Sequence, residues 1–239
     1  LEDGGGGGTV EGTGARVAAV ERTTIDARGA TGGGTVRLGG EYKGGGDLRR
    51  AARTRMSADS TIAADAVETG DGGEVILWAD QDTAFAGAIS ARGGAQGGDG
   101  GFVETSGAQH LRATGTVDAS APAGAAGKWL LDPTDVTIVD VDTADADLVQ
   151  AGTLWSPAGA LATSEITDDT ILASINLGTD VEIETTSAGG GNGDITLATD
   201  IIANVGGDGE ATLTLTADRD ILMTGGDEIS DNSGLLNLT

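Results

Sequence analysis

Cysteine is absent from this 239-residue chain, which removes disulfides, thiolate metal sites and a thiol nucleophile together. A single histidine leaves little scope for zinc chemistry. Aromatics are nearly as scarce, at three Trp, two Phe and one Tyr, so the large rings that usually fill a core are missing. Three prolines in a glycine-rich chain without a strict triplet exclude collagen. No apolar run approaches the roughly 20 residues of a membrane-spanning helix. What the chain does hold is 43 glycines and 38% hydrophobic residues, mostly Ala, Val, Ile and Leu, which argues against disorder throughout. Such a composition suits a fold that packs small and branched residues closely and turns often.

Positive charge is also short. The formal net charge is −25, and it is uneven. Residues 1–129 hold 17 acidic and 12 basic side chains, a net of −5, whereas residues 130–239 hold 21 acidic side chains against Arg219 alone, a net of −20. That surface repels nucleic acid and anionic membranes, so nucleic-acid binding is excluded, while solubility and loose divalent-cation binding are favoured. The chain starts at Leu1 with neither Met nor signal peptide and reads as a piece of a longer polypeptide.

Internal repetition organises the sequence. A short alternating stretch, a Gly-rich turn and a second alternating stretch recur as Ile25–Ala27 with Gly34–Val36, Ile62–Ala64 with Gly73–Val75, Ile89–Ala91 with Gly101–Val103, and Val117–Ala119 with Gly127–Trp129. Val181–Ile183 with Gly193–Leu197 is a further copy. The first four copies start 37, 27 and 28 residues apart, and the variation sits in the turns. Alternation in Val75–Leu77, Val136–Ile138, Val181–Ile183 and Thr212–Thr216 is a strand signal, and the runs are too short for a closed barrel. The expected fold is therefore all-β, a parallel β-solenoid with interior ladders of Ile, Val and Leu about 4.8 Å apart. Gly97, Gly98, Gly100 and Gly101 are expected to supply positive φ at its corners.

One stretch breaks the alternation. Ile171 and Ile175, four apart, predict a short helix over 170–176, capped by Asp168 or Asp169 and stopped at Gly178. The Asp-, Ala- and Gly-rich run Asp140–Ala162, with Pro157, reads as a connector. The division expected is a Gly-rich solenoid block at 1–133, an acidic connector at 134–165 and an acidic continuation at 166–239.

Several of these segments together resemble filamentous-haemagglutinin-like exoproteins, the large adhesins exported by the two-partner secretion route of Gram-negative bacteria. The pieces that carry the resemblance are Gly93–Gly107 (GGAQGGDGGFVETSG), Ser57–Ile62, Gly72–Ala79 (GGEVILWA), Trp129–Pro133 (WLLDP), Leu177–Val181, Gly193–Ile195 and Ala211–Leu215, in order over roughly residues 25–239. The resemblance implies a right-handed parallel β-helix, a secreted or cell-surface location at the Gram-negative outer membrane, an outer-membrane β-barrel exporter as partner, and no catalytic residues. The family's secretion domain carries Asn-Pro-Asn motifs, and none occurs here, so the chain is expected to be shaft that follows that domain.

The polar clusters fit that expectation. Asp168–Asp169, Asp218 with Asp220, and Asp227–Glu228 are acid pairs in form, but Asp favours turns and a solvated turn is the simpler account. A Ser-His-Asp triad would have to use His110, which has no nucleophile-elbow sequence beside it. Gly190–Asp194 resembles a calcium nonapeptide, with Asp194 directly after Gly193 instead of two residues on, and it lacks tandem copies. Asp140, Asp142, Asp145 and Asp147 offer weak cation binding only. Gly4–Gly8 is not a phosphate loop, because no Gly-Lys-Ser/Thr follows. Arg49, Arg50, Arg53 and Arg55 form the one basic patch; a sulfated glycan would suit it, but pairing with neighbouring acidic coils is favoured. Thr212, Thr214 and Thr216 form a single outward row.

No catalytic, cofactor-binding or metal residue is therefore assigned, and no cofactor. The expected function is that of a structural and adhesive shaft, not an enzyme, presenting a distal binding or effector region. Its receptor or glycan is left open, and end-to-end self-association is expected. The alternatives are a polysaccharide-acting β-helix enzyme of lyase type and the stalk of a contact-dependent inhibition toxin.

Overall fold

The computed structural model describes residues 5–140, 163–204, 210–232 and 236–238. Strand makes up 42% of the chain and helix 7%, so the molecule is mostly β, as alternation predicts. Eight strands stack in the first sheet: Thr9–Gly12, Thr35–Leu38, Glu74–Ala79, Phe102–Gly107, Lys128–Leu131, Asp180–Glu184, Ala211–Thr216 and Leu236–Leu238. The second sheet also holds eight, in the spatial order Arg16–Ala19, Arg53–Met56, Asp82–Phe85, His110–Ala113, Glu165–Thr167, Val136–Val139, Ile195–Leu197 and Ile221–Met223. A third sheet stacks Thr24–Asp26, Thr61–Ala63, Ala88–Ser90 and Thr116–Asp118, and a two-stranded sheet pairs Ile201–Ala203 with Ile229–Asp231. Pairing is parallel in every sheet. The chain visits the sheets in rotation, so each layer is one circuit of backbone. This arrangement of parallel strands in stacked sheets is consistent with a parallel β-helix or solenoid.

The core is a set of ladders. Val36, Val75, Val103, Trp129, Val181 and Leu213 follow one another in register inside the first sheet. Ile25, Ile62, Ile89 and Val117 do the same in the third. These are the positions that open and close the sequence repeat. Aromatics enter where the ladder leaves room, as in the edge-to-face contact of Phe85 with Trp129 at 5.9 Å between ring centroids.

The glycines between repeats work differently from the sequence expectation. Gly97 and Gly98 do have φ of 146° and 124°. Gly100 and Gly101 do not have positive φ; they are glycine because a side chain has no room. A Cβ on Gly101 would lie 2.1 Å from the Gly73 carbonyl oxygen, and one on Gly73 would lie 2.0 Å from that of Gly34. Within each layer the same glycine donates its N–H to an alanine carbonyl, as in Gly73 to Ala64 at 2.7 Å and Gly101 to Ala91 at 2.7 Å. Two stacked backbones touch along this column.

The predicted helix forms over Asp168–Asn176, burying Ile171 and Ile175. Its cap is Thr167, whose hydroxyl accepts from the Thr170 N–H at 3.3 Å, so neither Asp168 nor Asp169 is the cap; both lie in the first turn, where negative charge suits the helix dipole. Gly178, with φ of 87°, follows the C-terminal residue Leu177, as expected. The helix lies over the last strand of the third sheet. Ser174 Oγ accepts from Val117 N–H at 3.1 Å, and Thr179 Oγ1 accepts from Ala119 N–H at 2.8 Å, which satisfies an edge that a further strand would otherwise pair.

A helix is about 10 Å across, the height of two strand spacings. The second sheet accommodates it by carrying both Val136–Val139 and Glu165–Thr167 between His110–Ala113 and Ile195–Leu197. Both strands stand at the ends of the segment that composition marks as a connector. Most of that segment, with Asp142, Asp145, Asp147 and Pro157, lies outside the described residues.

Candidate functional site

Alternation turns Ile76 and Trp78 to the outside of the first sheet, and register sets Glu104 between Ile76 and Leu130, with Ser106 beside Trp78. Outward positions normally meet water, yet Glu104 is 0% exposed, because residues 39–52 fold back over this face. The glycines of that loop permit the approach: a Cβ on Gly44, at φ 66°, would sit 2.2 Å from the Trp78 ring, and one on Gly40 would sit 2.9 Å from it. Arg50 lies 5.6 Å from the centre of the Trp78 indole and donates to the Gly44 carbonyl at 3.1 Å. Tyr42 meets Phe102 edge-on at 5.7 Å.

At the centre, Lys43 takes φ of 50° and points its backbone N–H at both Glu104 carboxylate oxygens, at 3.1 and 3.0 Å. Its ammonium reaches along the stack to Glu184 at 2.6 Å. Ser106 hydrogen-bonds to Glu104 and accepts the Asp132 N–H at 3.2 Å. Asp132 Oδ1 is buried with no hydrogen-bond partner. Burial pushes the Glu104 carboxyl up to about 7 against the lowering pull of Lys43 and Ser106. Burial likewise pushes Asp132 up to about 6; Lys43 opposes this and Glu184 adds to it. Two carboxyls near neutrality beside a lysine form the most perturbed ionisable cluster among the described residues. It was missed from the sequence. Alternation does place Glu104 outward, but its cover arrives from 61 residues earlier in the chain.

The residues weighed from sequence fall elsewhere. His110 begins a second-sheet strand, its Nδ1 3.1 Å from Asp82 Oδ1, and Arg53 binds the other Asp82 oxygen at 2.9 Å. His110 also lines an open cleft of about 380 Å³ with Gln109, Thr134, Asp135, Thr163 and Ser164. Ser164 is buried, and its hydroxyl accepts from Leu111 N–H at 3.1 Å, so it is engaged as a structural acceptor. Of the basic patch, Arg50 pairs with Asp80 at 3.2 Å and Arg53 with Asp82, the cross-layer pairing favoured from sequence.

The calcium-like turn has the opposite polarity. The N–H groups of Asn192, Gly193 and Asp194 converge on Asp135 Oδ1 at 3.0, 2.7 and 2.9 Å, forming a nest that holds an anion. Asp194 itself pairs with Arg219 Nε at 2.7 Å. Burial raises the Asp135 carboxyl, but the three N–H donors outweigh it and hold the group below 3.8. A carboxylate lowered in this way stabilises the fold above its unfolded pKa and loses that contribution as pH falls through the folded value. Asp135→Asn should therefore cost about 1.5 kcal/mol at neutral pH and flatten the loss of stability below about pH 4. A variant whose acid unfolding follows the wild type would exclude this role.

Other acids behave as backbone acceptors between layers. Asp71 takes the Asp99 N–H, Asp99 the Ala125 N–H and Asp200 the Glu228 N–H, each at 2.8 Å, and Asp180 takes the Thr212 N–H at 2.7 Å. Asp218 accepts from both the backbone and hydroxyl of Ser187, which holds its carboxyl below the ordinary value. Among the described residues no group of three or more His, Asp and Glu side chains is arranged to hold a metal ion. No protein-family model and no curated protein matches this chain.

Proposed function

We propose that this chain is a right-handed parallel β-helix serving as the structural and adhesive shaft of a large secreted or cell-surface bacterial exoprotein, of the filamentous-haemagglutinin-like kind that its sequence resembles. Parallel crossovers within one sheet are right-handed in about 98% of cases, which supports the hand. The function is a matter of length and stiffness: eight layers in the first sheet span roughly 34 Å, at about 4.8 Å per step. One observation supports it above the others. The ladders keep register from layer to layer in each sheet, so height grows with chain length. Such a rod holds a distal receptor- or glycan-binding element away from the cell, and an outer-membrane β-barrel exporter would deliver it there.

The test uses the full-length parent protein with an epitope inserted at Gly190, where a Cβ meets nothing within 4 Å. The epitope should be reached by antibody on intact Gram-negative cells and lost when the exporter gene is deleted. Retention inside the cell would overturn the surface location. Turnover of polygalacturonate with calcium by the purified chain would replace the shaft with the lyase alternative.

A further inference from the structure

We propose that residues 39–52 form a pH-governed cover on the outer face of the first sheet, docked while Glu104 is protonated and released as that carboxyl ionises. The geometry is that of a latch. The loop is pinned at one point of the sheet by the Lys43 N–H on Glu104, and at a second by Lys43 Nζ on Glu184. Gly40 and Gly44 lie against the Trp78 ring. Under it sit a buried carboxyl with two kinds of neutral donor, and an Asp132 oxygen with none.

The charged and titratable groups facing Glu104 come from each element packed on it. The loop brings Lys43 and Tyr42, the residue after Lys128–Leu131 brings Asp132, and the strand Asp180–Glu184 brings Glu184. Lys43 Nζ is the nearby cation, and it is already engaged by Glu184. An ionised Glu104 therefore has neutral donors for partners, a second acid for a neighbour, and no exposure to solvent. Lifting the loop restores its hydration.

The sign follows from linkage. A carboxyl raised from 4.5 to about 7 favours the docked form fully below 4.5, and that preference is lost as pH rises through 7. Asp132, raised to about 6, acts in the same direction. Against the lowering effect of burial, pairing with Glu184 holds the Lys43 ammonium above its ordinary value, so Lys43 keeps its proton throughout this window and the Lys43–Glu184 pair opposes release without setting its pH.

Hydrogen exchange of single amides tests the cover. Lys43 N–H reports docking, and Gly73 N–H, bonded to Ala64 in the stack, reports the rod itself. After correction for chemical exchange, Lys43 protection should fall about 100-fold between ~pH 5 and ~pH 8.5, following the displacement of the Glu104 carboxyl from 4.5 to about 7 at tenfold per unit, while Gly73 stays protected. In Glu104→Gln the fall over the same range should shrink to about tenfold, the part that Asp132 carries. A flat wild-type profile, or a variant that responds as the wild type does, would overturn the proposal. Should Glu104→Gln fail to fold, the wild-type series decides alone: divergence of Lys43 from Gly73 supports the cover, and parallel loss refutes it.

Discussion

Gly73→Ala is expected to destabilise the chain by about 3 kcal/mol or to prevent its folding. The added methyl would meet the Gly34 carbonyl oxygen at 2.0 Å, the Gly34 nitrogen at 2.8 Å and the Ala64 Cβ at 2.9 Å. Two of those contacts are backbone in the layer below and cannot rotate away. Relief would require separating two layers, which breaks the Glu74 N–H to Gly34 bond of 2.9 Å and loosens the Val36–Val75 step beneath it. Gly8→Ala is the control, because a Cβ there meets nothing within 4 Å and its φ is not positive. Urea denaturation monitored by far-UV dichroism compares them. Equal midpoints would show that the glycine column is not set by close approach.

Ile195→Asp should cost about 4 kcal/mol, whereas Thr196→Asp, one residue away, should stay within about 1 kcal/mol. Ile195 is fully buried between Val136 and Ile221 in register, and an aspartate there has no donor within the ladder. Thr196 faces outward between Thr137 and Leu222. The penalty at Ile195 should shrink as pH falls, because a protonated carboxyl is cheaper to bury. Comparable losses at the two positions would mean that the strand does not alternate as described.

The ladders were legible because a stack demands the same residue class at the same point of each layer. Ile25, Ile62, Ile89 and Val117 announce themselves despite spacings of 37, 27 and 28 residues, since the turns between them absorb the difference. The helix was legible from Ile171 and Ile175, but its cap was not. Thr167 ends a strand, and only the fold decides which of three adjacent polar residues turns the chain. The Glu104 cluster was illegible for a different reason. Periodicity reports which face a side chain takes, and says nothing of a loop from another layer closing over that face. Asp135 shows the same limit: a turn rich in Gly, Asn and Asp suggested a cation, and a distant carboxylate filled it.

Ile221 and Met223, in register with Ile195 and Leu197, are 46% and 49% exposed. Raised salt, by screening the acidic half, should favour end-to-end contacts there.

The helix at Asp168–Asn176 has the character of a dislocation in a crystal. Between Lys128–Leu131 and Asp180–Glu184 the first sheet climbs one step, while the second sheet interposes Glu165–Thr167 and Val136–Val139 on the way to Ile195–Leu197. From that level on, the chain enters the second sheet one level higher than the first, so the fault carries an offset of one strand spacing into every later layer. An offset of this kind cannot be healed by exchanging side chains. Deleting the helix alone would leave a void two levels deep, and deleting the extra strand alone would leave the helix nowhere to lie. The two can only be gained or lost together, whereas whole layers elsewhere can be added or removed singly. The defect thus divides the rod into two lattices, each free to lengthen by its own unit.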